Sequence, residues 1–116
     1  LETEKTIFHL TTPQAWAAAQ EPGAYAPEHY ADEGFIHCST QSQLLESANK
    51  HFQKADALIV LILPAQKLGE ELKWEASRGG ALFPHLYRPL STEEVSGTFA
   101  LQKNDEGTWT YSPGHL

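Results

Sequence analysis

Three histidines of this chain lie inside apolar, strand-like runs: Ile7-Phe8-His9-Leu10, Gly34-Phe35-Ile36-His37-Cys38-Ser39 and Phe83-Pro84-His85-Leu86-Tyr87. An imidazole half-buried in such a run needs a hydrogen-bond partner, and it binds or moves a proton near neutral pH. Three of them, with polar neighbours, point to a polar pocket cut into a hydrophobic core. If they converge, the available chemistry is acid–base catalysis, an anion contact, or a metal with one position left open.

Strand parity sorts the neighbours. In residues 35–39, His37 shares a face with Phe35 and Ser39, while Cys38 faces away. A Cys–His nucleophile is therefore not expected, and Cys38 reads as a small core residue. Ser39 and Thr40 stand where a strand hands over to a helix. The free N–H groups there can hold a phosphate or carboxylate, or the pair simply caps the helix. His85 and Tyr87 share a face with Phe83, so they bind a ribose, stack on a flat ring, or satisfy each other. Arg88 offers a bidentate contact to an anion. Leu72 and Trp74 form one face of their strand, and Glu71, Lys73 and Glu75 the other. Alternation alone turns Glu75 to water; if this edge lines a cleft instead, Glu75 is the carboxylate that would stabilise a developing cation. No His-x-x-x-His spacing occurs and the chain has one cysteine, so no metal is expected. His29, His51 and His115 read as loop, helix-surface and tail residues. The Tyr25-to-Tyr30 stretch reads as a surface loop, with a lid as the alternative.

The elements that must position these groups follow from pattern. Residues 5–10 form a first strand. Thr12-Pro13 supplies an N-cap and an N1 proline for an alanine-rich helix over 14–20, which Pro22-Gly23 ends. Residues 24–34 are an irregular loop or short helix, and 35–39 a short strand. Thr40 with Gln43 makes a capping-box pattern, followed by Leu44, Leu45, Ala48 and Phe52 on one helical face. Residues 57–63 lack alternation, which predicts a central strand covered on both faces. A turn over 64–69, strands over 72–76 and 82–87, and a capped turn at 91–94 come next. Prolines 84 and 89 suit an edge strand. Residues 97–102 and 108–111 flank Asn104-Asp105-Glu106-Gly107 as a β-hairpin. Two early helices with six or seven short strands imply an α+β domain over residues 1–116, with 1–5 and 113–116 as frayed ends.

The totals bound the partners. Fifteen acidic against 8 basic residues give a formal charge of −7, which repels a polyanion, so nucleic acid is not expected. A small anion in a local pocket remains compatible. The apolar run 57–63 is far too short to span a bilayer, and no signal segment opens the chain. Cys38 alone allows no internal disulfide and suits a reducing cytoplasm.

The order of these blocks resembles the small bacterial proteins of the domain of unknown function 952 family. The resemblance rests on Phe8-His9-Leu10, Gly34 to Ser39, a helix, an apolar strand, Trp74-Glu75, and Phe83 to Tyr87 followed by Pro89-Leu90. It spans residues 7 to about 95. The fold of that family is similar to that of ADP-ribosyltransferases, which hold NAD in a cleft between two small sheets. The resemblance implies an ADP-ribosyltransferase-like α+β fold: split β-sheets with two helices in the N-terminal half. By position, His9 would contact the adenosine-side ribose, Ser39 or Thr40 would support the nicotinamide half, and Glu75 would steady the ribosyl cation. Lys73 stands where that group carries an acidic residue or glutamine, which speaks against an arginine acceptor. His37 and His85 resemble features of transferases acting on phosphorylated RNA ends.

The expected function is an NAD- or ADP-ribose-handling enzyme, of transfer or glycohydrolase type. Glu75, His37 and His85 would be catalytic; His9, Ser39, Thr40, Trp74, Tyr87 and Arg88 would bind the nucleotide. The alternatives are a non-catalytic module for a small anionic metabolite or nucleotide, and a metal-assisted hydrolase. One geometric expectation underlies all of them: His9, His37 and His85 share one concavity.

Overall fold

The apolar run at residues 58–63 lacks polar alternation because both of its faces are covered. In the structure, a computed structural model that describes residues 5–112, it forms β4 (Leu58–Pro64). β4 lies between β1 (Thr6–Thr11) and β8 (Gly97–Lys103), and β9 (Trp109–Tyr111) follows at the far edge; every pairing is antiparallel. One face of β4 sends Leu61 and Leu63 into a cluster with Ile7, Ile36, Cys38, Leu86 and Leu90. The other sends Leu58 and Val60 into a second cluster with Leu10, Leu44, Ala48, Leu101 and Trp109. The central, doubly covered strand predicted from sequence is thus observed. His9 pairs with Leu61 in register, which puts its ring on the first-cluster face.

The helices follow their caps. α1 (Pro13–Gln20) starts at Thr12, whose Oγ1 accepts from the Ala15 N–H at 3.1 Å. α2 (Tyr30–Glu33) is a single turn within the stretch read as loop or short helix; it ends at Gly34 in the left-handed region, φ 82°, where glycine avoids a Cβ clash. α3 (Gln41–His51) buries Leu44 and Ala48 against the second cluster, with Leu45 and Phe52 alongside, as its apolar spacing requires. Gln43 accepts from the Thr40 N–H at 3.0 Å and donates to the Leu82 carbonyl at 2.8 Å, so the cap also ties α3 to the second sheet. Asn49 clamps β9 by accepting from the Trp109 N–H at 2.7 Å and donating to its carbonyl at 3.1 Å.

That second sheet has the order β3 (Ile36–His37), β6 (Leu82–Leu86), β5 (Leu72–Ala76). β6 is central, which corrects the edge-strand expectation. Proline is tolerated there because of what its partner does. Pro84 turns its carbonyl toward β3 and accepts from the Cys38 N–H at 3.0 Å, but it has no N–H to return. The ladder stops at that point and the chain leaves the sheet. Ser39 then pairs with Phe8 of β1 in an isolated bridge, with N–H to carbonyl distances of 2.8 and 2.9 Å. The segment 35–39, expected as one strand, is therefore a strap between two sheets.

Other departures are smaller. β2 (Ala24–Tyr25) pairs with β7 (Leu90–Ser91), a two-residue ladder that no sequence pattern announced. The turn expected over 64–69 is a 3-10 stretch, Ala65–Glu71. The capped turn after β7 is present, with Glu94 accepting from the Ser91 N–H at 3.0 Å. The β8–β9 hairpin is also present, its turn held by Asn104 Oδ1, which accepts from the Glu106 and Thr108 N–H groups. The fold is a mixed helix-and-strand unit with a radius of gyration of 13.7 Å, close to the roughly 13 Å expected of one compact domain this long. Among the described residues no helix is long and apolar enough to cross a membrane. The frayed ends expected at 1–5 and 113–116, and His115, lie outside the described residues except for Lys5, whose carbonyl accepts from the Ala65 N–H at 2.9 Å.

Candidate functional site

The expected convergence occurs. His9, His37 and His85, with Ser39, line one open cleft of ≈ 630 Å³, and His29 and His51 line it too.

His9 forms part of the wall and is locked. It is 6% exposed. Its Nδ1–H donates to the His37 carbonyl at 2.6 Å, which is possible because β1 and the strap lie side by side. Nε2 meets the Tyr25 hydroxyl at 2.7 Å, and that hydroxyl lies 2.9 Å from the Thr11 hydroxyl. Burial is the main cause that pushes the His9 pKa down to about 4. The ring is therefore neutral at physiological pH. A carbonyl only accepts, so the proton of the neutral ring is fixed on Nδ1. Burial likewise pushes the Tyr25 phenol up to about 12. The group couples β1, β2 and the strap, and neither ring nitrogen of His9 is open to a ligand.

His37 and His85 behave differently. They are cross-strand partners in β3 and β6, which places them on one face with ring centroids 5.2 Å apart. Phe35 stacks on His85 at 4.3 Å and meets the edge of His37 at 4.7 Å. Each imidazole has a carboxylate. His37 Nε2 contacts Glu33 Oε1 at 2.8 Å, a pair about half exposed. His85 Nδ1 contacts Glu75 Oε1 at 2.7 Å, and the Tyr87 hydroxyl donates to the same oxygen at 2.7 Å. The Tyr87 phenol first, and His85 second, hold the Glu75 carboxyl below the usual carboxylate range. The same bond raises the Tyr87 phenol above its ordinary value. A carboxylate on Nδ1 fixes the ring and leaves Nε2 as the free end, the geometry of an oriented acid–base group. His85 Nε2 is buried and has no hydrogen-bond partner.

The remaining expected residues divide. Glu75 does project from the face opposite Trp74, but that face carries His85 and Tyr87, so it is both partly exposed and engaged. Glu75 and Tyr87 stand behind His85 and are not among the groups lining the cleft. Trp74 packs against the first core cluster, on the far side of β5. Ser39 lines the cleft and its hydroxyl donates to Ser47 Oγ at 3.2 Å. Thr40 is the N-cap of α3. Arg88 is taken up by the protein: it grips Glu94 through two bonds of 2.9 and 2.7 Å, reaches Glu71 at 3.1 Å, and donates to the carbonyls of Leu68 and Pro89. Cys38 is a core residue, as parity predicted, with its thiol pushed up to about 12 by burial.

Sequence reasoning placed Phe35 on the face of His37 but missed Tyr25, Glu33 and Ser47 as partners. Glu33 stands four residues before His37, a spacing that could have been noticed; Tyr25 and Ser47 carried no signal, because only the fold brings them to the histidines. The structure also moves His29 and His51 from plain surface to the cleft wall. Among the described residues no three His, Cys, Asp or Glu side chains are grouped as ligands for one ion, which gives the metal-assisted reading no support.

Comparison with known proteins sets this site in context. The crystal structure of protein CC0527 from Caulobacter crescentus is similar at 40% identity, with a TM-score of 0.86 over 90% of this chain and 93% of that one. The solution NMR structure of the same protein gives a TM-score of 0.79 over 90% and 91%. No curated protein matches. A family model described as a protein of unknown function, DUF952, matches residues 10–98, a span that takes in Glu33, His37, Ser39, Glu75 and His85 and begins one residue after His9. The chain belongs to the DUF952 family.

Proposed function

We propose that the cleft binds NAD or a related ADP-ribose-containing nucleotide, and that the protein is an enzyme of ADP-ribosyl-transfer or glycohydrolase type. The observation that carries this reading is the convergence of His37, His85 and Ser39 on one cleft, with His85 held by Glu75 and its Nε2 unpartnered. Two further features support it. Two small antiparallel sheets joined by the strap support the split-sheet reading that the family resemblance implies. The cleft volume falls within the roughly 300–1,000 Å³ usual for small-molecule sites.

In this reading His85 is the acid–base group. The bond between the ribosyl carbon and nicotinamide breaks, and its electron pair leaves with nicotinamide. Water or an acceptor hydroxyl attacks the same carbon, and its proton passes to His85 Nε2. Glu75 acts as a positioning residue: it fixes the ring and stabilises the imidazolium that results, rather than touching the ribosyl cation itself. His37 contacts the phosphates. His9 keeps the wall rigid. Tyr87 and Phe35 set the ring plane of His85, and Arg88 and Trp74 serve the scaffold. The lone buried thiol suits a reducing compartment, and we place the protein in the cytoplasm.

Titration with NAD and with ADP-ribose, followed through the histidine ring protons by NMR, tests the binding. The resonances of His37 and His85 should shift, and their silence at millimolar ligand removes the reading. Nicotinamide release measures turnover: Glu75→Gln should lower kcat by about 10²-fold. Binding without release, indifferent to Glu75→Gln, would leave a non-catalytic nucleotide-binding module.

A further inference from the structure

The cleft gains positive charge in a particular way. Among the described side chains that line it there is no lysine and no arginine; the groups that can become cationic are imidazoles, and Glu28 and Glu33 are the carboxylates. The whole chain is acidic, at −7, so long-range attraction supplies no compensation. An anion entering this cleft therefore needs local positive charge, and imidazolium is the form of these side chains that carries it.

The two central histidines are arranged to supply it. Each has a carboxylate on one ring nitrogen, Glu33 on His37 and Glu75 on His85, and a carboxylate on one side favours the protonated ring when an anion meets the other side. His85 Nε2 is buried in the cleft wall with no partner, so it is the atom whose state a bound group changes most. Other charged groups do not take over this role. Lys73 is the register partner of His85 on β5, but its Nζ is directed to the Glu70 carbonyl at 3.4 Å. His9 and Tyr25 are engaged with each other. Tyr87 donates to Glu75 behind His85. His29 and His51, exposed on the cleft wall, add charge of the same kind, against Glu28.

Resting on the nucleotide reading above, we infer that the site holds the phosphate oxygens of its ligand between His37 and His85 and takes up a proton as it does so. Ligand binding is then coupled to protonation, and affinity rises as pH falls. The ligand class is a phosphate or pyrophosphate group attached to a small molecule.

Inorganic pyrophosphate is the probe. Calorimetry of the full chain at neutral pH, in two buffers of different ionisation enthalpy, should show uptake of about one proton per pyrophosphate bound, and affinity should fall about tenfold per pH unit over the range where that proton is exchanged. His37→Gln and His85→Gln should each weaken binding by about tenfold or more and flatten the pH slope. A far-UV melt confirms that each variant is folded; His37, half exposed, is the variant least able to disturb the fold. Failure of pyrophosphate to bind between about pH 5.5 and 8 overturns the inference. So does binding without proton exchange, or a pH slope that survives in both variants. NAD turnover with a KM independent of pH sinks the proton coupling alone. Proton-coupled pyrophosphate binding with no nicotinamide release sinks the enzyme reading alone.

Discussion

The histidines of this chain look alike in sequence, yet the structure gives them opposite tasks. His9 has both ring nitrogens bonded and is kept neutral by burial. Its pKa falls from 6.5 to about 4 on folding. Between those values the unfolded chain binds more protons than the folded one, so stability is full above about pH 6.5 and is lost as pH falls toward 4. The shift corresponds to about 3 kcal/mol. Urea titrations at about pH 7 and pH 4.5 should show a loss on acidification that is smaller by about 2–3 kcal/mol in His9→Gln, even though that variant starts lower. An equal loss in both proteins would mean that His9 is not the group being protonated. His37 has the reverse profile: exposed, paired with Glu33, and facing the cleft. His37→Ala should change stability by less than about 1 kcal/mol while it weakens nucleotide binding at least tenfold. Co-measured melts and titrations check this, and a variant that simply unfolds would make His37 a core residue. Sequence revealed that three imidazoles sit in apolar runs. It could not reveal which were satisfied, because the satisfying atoms, the Tyr25 hydroxyl and the His37 carbonyl, come from elements distant in the chain.

Among the elements, those with a strong local pattern matched their expectation and those defined by a partner did not. α1 and α3 have caps and apolar spacing that act within a few residues, and both form where expected. β4 announced its burial through its lack of alternation. The 35–39 segment failed as a single strand because Pro84, remote in sequence, withholds the N–H that would continue the ladder. The β2–β7 pair is two residues long, too short for any periodicity. Arg88 belongs to this scale. It binds the capped turn after β7 to the 3-10 stretch through Glu94, Glu71 and the Leu68 carbonyl. Arg88→Ala should cost about 1–3 kcal/mol by thermal melt, and Arg88→Lys should recover only part of that, because an ammonium cannot make the two-bond grip on Glu94. Nucleotide binding, compared at a temperature where both are folded, should be unchanged; a tenfold weaker complex would return Arg88 to the ligand site.

At the level of the whole molecule, β4 separates two cores, and the strap residues Ile36 and Cys38 belong to the first. Leu61→Ala and Leu44→Ala remove fully buried side chains from opposite sides of that strand, and each should cost about 2–4 kcal/mol in a urea titration. Leu61 is the register partner of His9, so Leu61→Ala should also perturb the His37 and His85 ring resonances, whereas Leu44→Ala should leave them in place. Equal disturbance from both would mean that the two cores are not independent supports. By itself the sequence determined the helices, the central strand, the terminal hairpin, the core role of Cys38 and the residue types that make a polar cleft, because each of these is written in spacing, caps and alternation a few residues long. Only the tertiary structure decided that the histidines meet, that Glu75 serves His85 from behind, and that Arg88 and Trp74 belong to the scaffold. Those outcomes depend on strand register and on where a ladder ends, and both are set by contacts between residues that the chain order keeps far apart.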